Sequence, residues 1–195
     1  MTHQDSDQED PVALALLGFM KCIGARDKHE VYLSTPITTG PAFITWRQQH
    51  RAQLSPADPH YEASHALNVA TPNRMRVQPL VQSLRERFAE RLVIDPTGLE
   101  DVTEWKQRHY RDFWCSLIER YVAIIIFSDG WQFSAGCISE FAAAIRSSAE
   151  TYTETFSPLP KEKGVALIES ALAEMGHLDI PCEDQRDGLL AVRAA

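Results

Sequence analysis

The chain is short of basic residues and of long apolar runs, and each shortage excludes a class of protein. It carries 19 lysines and arginines against 27 aspartates and glutamates, a net charge of −8 over 195 residues. Because a nucleic-acid surface needs clustered basic side chains, we expect no nucleic-acid polymer as a partner. No apolar run approaches the roughly 20 residues that cross a bilayer, so no membrane contact is expected. The acidic start lacks a signal peptide's basic region, and we predict a cytoplasmic protein.

Several catalytic motifs are also missing. No Gly-x-Gly-x-x-Gly follows the first predicted strand, no phosphate loop ends in Gly-Lys-Ser/Thr, and no Gly-x-Ser-x-Gly elbow is present. The seven histidines are dispersed, and the four cysteines at 22, 115, 137 and 182 lack metal-ligand spacing. We therefore predict reduced thiols, no metal and no cofactor. These absences disfavour nicotinamide dehydrogenases, phosphate-loop NTPases, α/β hydrolases and zinc enzymes.

The clearest structural element is a short apolar run from Val122 to Phe127, followed by the polar loop Ser128–Ser134 and a helix that carries Glu140. A continuous β-branched run of this length is typical of a strand covered on both faces of a parallel sheet. Shorter strand candidates at 30–34, 92–95 and 151–156 alternate with amphipathic helices. This alternation predicts an α/β protein with a doubly wound, mainly parallel sheet of the Rossmann or flavodoxin kind.

The sequence predicts one α/β domain over residues 10–176. Residues 1–9 are acidic and are predicted to be disordered, and residues 177–195 are predicted to form a tail or a short docked helix. Prolines interrupt the segment 54–76, which is predicted to be a long loop or insertion with one helical turn.

Polar side chains gather at the predicted ends of three strands: Tyr32 and the Thr35–Thr39 loop, Asp95, and the Ser128–Ser134 loop. In a parallel sheet these ends share one edge, where open α/β sheets bind ligands. Glu140 and Asp112 can join from the flanking helices. Carboxylates, a phenol and hydroxyls suit glycosidic-bond chemistry, in which one carboxylate attacks or stabilises the anomeric centre and another acid assists the leaving group.

These residues also have plainer structural interpretations. Glu140 points away from the apolar stripe of its helix, as a solvated carboxylate near a helix N-terminus does, although the small residues on its own face suit a second close surface. Asp112 can belong to an exposed ladder with Glu104 and Arg108 at four-residue spacing. Trp131 can be a base-stacking platform or a plug over the core. The loop threonines can simply stabilise turns.

Two motifs resemble those of the nucleoside 2-deoxyribosyltransferase-like superfamily. They are Tyr32-Leu-Ser-Thr-Pro-Ile-Thr-Thr-Gly40 and Gly130-Trp-Gln-Phe-Ser-Ala-Gly-Cys-Ile-Ser-Glu140. The resemblance extends over about residues 30–157 and departs at 42–76. It implies a flavodoxin-like sheet, a homodimer or higher homo-oligomer, and a small-molecule nucleotide or nucleoside as ligand.

The resemblance also implies roles for single residues. Glu140 falls on the nucleophile at the sugar's anomeric carbon, Tyr32 on the phenol that orients it, and Asp112 on the acid near the base. Ser134 falls on a contact to a 5′-phosphate. The remaining predicted binding residues are Pro36, Ile37, Thr38, Asp95, Asp129, Trp131 and Gly136.

The expected activity is cleavage or transfer of the N-glycosidic bond of a (deoxy)ribonucleotide or nucleoside. Two features depart from the superfamily: Arg120-Tyr121 stands where many members place an aspartate before the central strand, and Thr38 and Thr39 are neutral where basic residues are common. One alternative is therefore a non-catalytic nucleotide-binding or signalling module with the same fold. Another is an assembly protein that uses Trp46 and the segment 54–76 as an interface.

Overall fold

In the part of the chain that the structure describes, four parallel strands form one sheet in the order β2-β1-β3-β4. A computed structural model describes residues 10–50, 58–99, 102 and 104–195. The strands are β1 Glu30–Ser34, β2 Val93–Ile94, β3 Val122–Phe127 and β4 Glu150–Thr153. The predicted α/β class, with a parallel, flavodoxin- or Rossmann-like sheet between helices, is confirmed.

Eight α-helices surround the sheet within the described residues. They are α1 Pro11–Cys22, α2 Pro41–His50, α3 Tyr61–His65, α4 Thr71–Arg87, α5 Gln107–Tyr121, α6 Ala135–Arg146, α7 Lys161–His177 and α8 Glu183–Ala194. A π-helical turn, Ala66–Ala70, joins α3 to α4, and 3-10 turns cover Pro96–Gly98 and Trp131–Phe133. None of the described helices has both the length and the apolar character needed to cross a membrane.

Alternate residues of the central strands supply two apolar cores. Val31 and Leu33 of β1 pack with α4 on one face of the sheet. Tyr32 of β1 and Phe127 of β3 pack on the other face, in a larger core that includes α5, α6 and α8. The two-residue period of a strand explains the division, because successive side chains point to opposite faces. The third residue of β1 is thereby directed toward α6.

The strand order of the sheet reverses at β1. The second strand lies on one side of β1 and the third strand on the other. Ser34 is in register with Phe127, and the Ser128 amide donates to the Ser34 carbonyl at 2.9 Å, so both strands end side by side. The crevice at the carboxyl ends of strands at such a reversal is where open α/β sheets bind ligands.

The prediction of a loop over 54–76 is wrong for the part of this segment that the structure describes. α3, the π-helical turn and α4 follow one another without a break from Tyr61 to Arg87. Pro72 does not end the helical run: it lies where the π-helical turn Ala66–Ala70 changes to α4, and a further proline, Pro79, lies inside α4. Residues 54–57, like the predicted disordered residues 1–9, lie outside the described residues.

The C-terminal segment forms a docked helix rather than a tail. Leu189 and Val192 of α8 join the larger core, so the packed structure continues beyond the predicted domain end at residue 176. Gly188 allows the close approach to α6: a Cβ at this position would lie 2.7 Å from Cγ2 of Ile138. The four cysteines are free; Cys137 and Cys182 are buried, whereas Cys22 is exposed.

Candidate functional site

Glu140 is a buried carboxylate that faces β1. Only 7% of the residue is exposed. The Tyr32 hydroxyl donates to one carboxylate oxygen at 2.8 Å, and the Ser34 hydroxyl donates to the other at 2.5 Å. Residues two apart on a strand point to the same face, so β1 presents both hydroxyls together. The predicted contact between Tyr32 and Glu140 is present, and the interpretation of Glu140 as a solvated side chain is wrong.

The burial of Glu140 follows from the position of α6 between other elements. Phe141, on the apolar stripe of α6, lies so close to α7 that a Cβ on Gly164 would be 2.3 Å from its ring. Ile138, on the same stripe, meets Gly188 of α8. α7 and α8 therefore cover the apolar stripe of α6. The opposite face of α6, with Glu140 and Ala144, is also buried, and Glu140 on this face contacts β1.

Burial raises the pKa of Glu140 to about 7, while the hydrogen bonds from Ser34 and, to a lesser extent, Tyr32 act to lower it. Both the neutral and the ionised carboxyl groups are therefore populated near neutral pH. Burial, followed by the charge of Glu140, raises the pKa of Tyr32 well above its ordinary range, so the phenol keeps its proton and stays a donor. The same two causes raise the pKa of Cys115 and of Cys137 to about 12, and both thiols stay neutral.

A second buried carboxylate, Glu30, shows what a structural glutamate looks like in this fold. It is 1% exposed and accepts the backbone amides of Arg26 and Leu92, both at 2.7 Å. It lies at the amino end of β1, away from the ligand-binding edge of the sheet. Glu140 differs because it accepts hydrogen bonds from two side-chain hydroxyls, those of Tyr32 and Ser34, and lies toward the carboxyl end of β1.

The loops that follow β1 and β3 are locked together beside this carboxylate. The Ser128 hydroxyl donates to the Thr35 hydroxyl oxygen at 2.8 Å. Gly130 has a positive φ of 79°, and a Cβ there would lie 2.3 Å from Cδ of Pro41. Only glycine meets both conditions without strain or a clash. The two loops, which carry most of the predicted binding residues, therefore form one unit.

Ser134 begins α6 and is buried, with 7% exposed. Its hydroxyl oxygen accepts the Cys137 amide at 3.4 Å, as an N-cap does. A hydroxyl that accepts in a cap still carries a hydrogen that it can donate to a ligand oxygen. Gly136, in the first turn, is exposed. The N-terminal turn of a helix attracts anions, which suits the phosphate contact that the resemblance implies here.

The β1–α2 loop, residues 35–40, is held by residues that the sequence did not single out. Asn73, only 4% exposed, donates through Nδ2 to the carbonyls of Ile37 and Thr39, both at 2.9 Å. The Thr38 carbonyl lies 2.8 Å from Nε2 of His65. Pro36 is buried and Thr38 is exposed. No sequence pattern points to Asn73 or His65, because both fall in the segment whose prolines predict a loop.

The β3–α6 loop, residues 128–134, is held from the same direction. Arg76 of α4 donates to the Asp129 carbonyl at 3.0 Å, and the Asp129 amide donates to Glu154 at 2.8 Å. Asp129 as a whole is exposed. Asp129 therefore lies at the predicted edge, with its backbone held and its carboxylate toward solvent.

Asp112 lies on the surface of α5 rather than beside Glu140. Its side chain is 70% exposed, and its carboxylate is 3.6 Å from Arg111. The predicted ladder with Glu104 and Arg108 is wrong, because α5 begins at Gln107 and Glu104 precedes the helix. No hydrogen bond joins Asp112 to Glu140 among the contacts of the described residues.

Asp95 and Trp131 have structural contacts in place of the predicted ligand contacts. Asp95 accepts the amide and the hydroxyl of Thr97, at 3.0 and 2.7 Å, and caps the 3-10 turn after β2. Trp131 is 3% exposed and packs on Phe127 and Phe141, with ring centroids 4.7 and 4.9 Å apart. Of the two predicted roles for Trp131, the structure supports the plug over the core.

The described residues include no group of three or more His, Cys, Asp or Glu side chains arranged to hold a metal ion. Comparisons with protein-family models, curated proteins and solved structures gave no match.

Proposed function

We propose that the protein cleaves or transfers the N-glycosidic bond of a (deoxy)ribonucleotide or nucleoside, with Glu140 as nucleophile. The observation that carries the proposal is the buried Glu140 carboxylate, oriented by two hydroxyls at the ligand-binding edge of the sheet. An attacking carboxylate must be ionised, fixed in direction and shielded from bulk water. Tyr32 and Ser34 favour ionisation and fix the direction, and burial supplies the shielding.

The proposed reaction has two displacement steps. An oxygen of ionised Glu140 bonds to the anomeric carbon as the bond to the base nitrogen breaks, and that bond's electron pair leaves with the base. An acid protonates the departing base. Water, or a second base, then attacks the same carbon and expels the Glu140 carboxylate, and the attacking group loses its proton to the medium. Two displacements at one carbon retain its configuration.

Asp112 is the proposed acid, and its support is weaker than that for Glu140. It lies one turn before Cys115 on α5, a helix that packs against α6. A base that protrudes from the sheet edge toward α5 would meet Asp112 at the surface.

We assign the 5′ end of the ligand to the first turn of α6 and the neighbouring loop. The supporting features are the Ser134 hydroxyl, the exposed Gly136 and the Pro36–Thr38 stretch. The partner is a small molecule, and the chain is expected to form a homodimer or higher homo-oligomer. Light scattering of the purified protein measures that state.

A non-catalytic nucleotide-binding module is the second candidate. It is favoured by the small exposure of Glu140, 7%, and by the exposed position of the Asp112 side chain, which has Arg111 as its ion-pair partner. This candidate predicts saturable nucleotide binding without base release, and binding that survives Glu140→Gln.

The decisive experiment incubates purified protein with a panel of ribo- and deoxyribonucleosides and their monophosphates, and measures free base by chromatography. We expect base release that Glu140→Ala and Glu140→Gln abolish. Glu174→Gln, which removes an exposed carboxylate from α7, is the matched control and keeps full activity. Base release that continues unchanged in Glu140→Ala refutes the mechanism, and binding without release in wild type supports the module.

A further inference from the structure

We propose that Asn73 is a positioning residue that sets the ligand-binding shape of the β1–α2 loop, and that α4 couples this loop to the β3–α6 loop through Arg76. The inference rests on the proposed function for the ligand it concerns. It assigns a role to the segment that departs from the family resemblance. Neither Asn73 nor Arg76 is among the residues that the motifs point to.

Both N–H groups of the Asn73 side-chain amide donate hydrogen bonds. An amide NH₂ group has two hydrogens, and Asn73 gives them to the carbonyls of Ile37 and Thr39 at equal distances of 2.9 Å. These two carbonyls flank Thr38, at the exposed tip of the loop. Because Asn73 is 4% exposed, water does not readily replace its donors if they are lost.

Arg76 extends the same arrangement to the other loop. It lies three residues after Asn73 on α4 and therefore on the same side of the helix. Its guanidinium donates to the Asp129 carbonyl, while Glu154 accepts the Asp129 amide, so both polar groups of this stretch of backbone are held. The first turns of α4 thus contact both loops beside the reversal point of the sheet.

The choice of residue at position 73 supports a positioning role over simple core filling. Asparagine is a weak helix former, and an apolar side chain at a 4% exposed position would bury more apolar surface. Asn73 makes no hydrogen bond to Tyr32, Ser34 or Glu140 among the contacts of the described residues. Its influence on the reaction must therefore pass through the loop and the ligand's 5′ end.

The first test is steady-state kinetics of base release with the best nucleotide of the panel. Asn73→Ala is expected to raise KM about 10-fold, the effect of roughly one or two lost hydrogen bonds, and to leave kcat within about 2-fold. Asn73→Ser retains one donor on a side chain that is one bond shorter, and its KM is expected to lie between those of wild type and Asn73→Ala or to equal that of Asn73→Ala. Gln82→Ala is the matched control, because Gln82 donates to Glu86 on the exposed side of α4. It leaves both constants unchanged.

The second test needs no activity. Backbone ¹⁵N relaxation reports the order parameters of Ile37–Gly40 in wild type, Asn73→Ala and Asn73→Ser. We expect the values to fall from about 0.85 toward 0.6 in Asn73→Ala, with α7 unchanged. Arg76→Ala should produce the same change at 128–130.

The outcomes separate the two proposals. A wild-type protein that releases no base refutes the proposed activity, and the relaxation data alone then decide the role of Asn73. Order parameters that do not change in 37–40, or that fall equally in α7, overturn the positioning role. So does a variant whose kcat falls while its KM is constant. If Asn73→Ala does not fold, the Asn73→Ser and Arg76→Ala comparisons decide the same question.

Discussion

Replacing Glu140 by glutamine should remove a pH dependence from the stability of the protein. The folded protein holds the pKa of Glu140 at about 7, whereas its ordinary value is 4.5, because burial disfavours the charged form. As the pH rises through this window, the unfolded chain loses the proton before the folded protein does. Stability is therefore fully present below about pH 4.5 and is lost up to about pH 7.

The magnitude follows from the size of the shift. A difference of this size corresponds to a loss of about 3 kcal/mol in the free energy of unfolding, of which roughly 2.5 kcal/mol falls between pH 5 and pH 8. For a chain of this length, that loss lowers the melting temperature by roughly 5–10 °C. The loss occurs over the same pH range in which the proposed nucleophile becomes ionised, so function and stability oppose each other at this residue.

Denaturant unfolding of wild type and Glu140→Gln at several pH values from 4.5 to 8 measures this effect. The glutamine variant should lack the Glu140 contribution, so the difference between the two proteins grows by roughly 3 kcal/mol across the range. Any cost of fitting an amide beside Tyr32 and Ser34 is the same at every pH and does not alter that slope. Glu174→Gln, on the exposed side of α7, should run parallel to wild type.

A constant difference between Glu140→Gln and wild type from pH 5 to pH 8 would refute the reasoning. It would mean that Glu140 has the same pKa in the folded and unfolded states, and that the burial seen in the structure does not disfavour its charge. The proposed nucleophile would then be an ordinary ionised carboxylate throughout.

Three further predictions concern the same site. Ser34→Ala and Tyr32→Phe each remove a hydrogen-bond donor that favours the ionised form of Glu140. The acidic limb of the pH–rate profile should therefore move to higher pH, and further in Ser34→Ala than in Tyr32→Phe. Equal profiles in wild type and both variants contradict this. Gly130 has a positive φ, and a Cβ at this position would lie 2.3 Å from Pro41. Gly130→Ala should therefore lower the free energy of unfolding by more than about 2 kcal/mol, as measured by thermal melting. An unchanged melting temperature would show that the loops are not interlocked. Trp131 is 3% exposed, so Trp131→Ala leaves a cavity and should lower the free energy of unfolding by about 3–5 kcal/mol in denaturant. A loss below about 1 kcal/mol would restore the interpretation of Trp131 as an exposed stacking platform.

The class of fold and the edge of the sheet were predictable because they depend on local patterns. The run Val122–Phe127 is too short and too continuously apolar for a surface element, and its alternation with amphipathic helices requires parallel pairing. Parallel pairing then brings the polar strand ends together whatever the details of packing. The contact of Tyr32 with Glu140 was implied by the family resemblance, and the structure contains it.

The local roles of Trp131 and Asp112 were not predictable, since each depended on a boundary or a neighbour. Trp131 is buried because Phe127 and Phe141 approach it from elements on both sides of its loop. The ladder around Asp112 failed because α5 starts at Gln107, and helix starts are set by a few capping contacts that periodicity does not reveal. The segment 58–76 was misassigned because Pro59 precedes α3 and Pro72 lies at the change from the π-helical turn to α4, so neither proline interrupts the helical run.

The sequence by itself determined that four short strands and their helices form a parallel sheet, and that Glu140 lies on a helix at its ligand-binding edge. Only the tertiary structure decided that Glu140 is buried. Periodicity placed it opposite the apolar stripe of α6, and it faces inward because α7 and α8 cover that stripe while β1 offers Tyr32 and Ser34 to the other side. Contacts between elements distant in the chain set the environment of a carboxylate, and that environment raises its pKa to about 7.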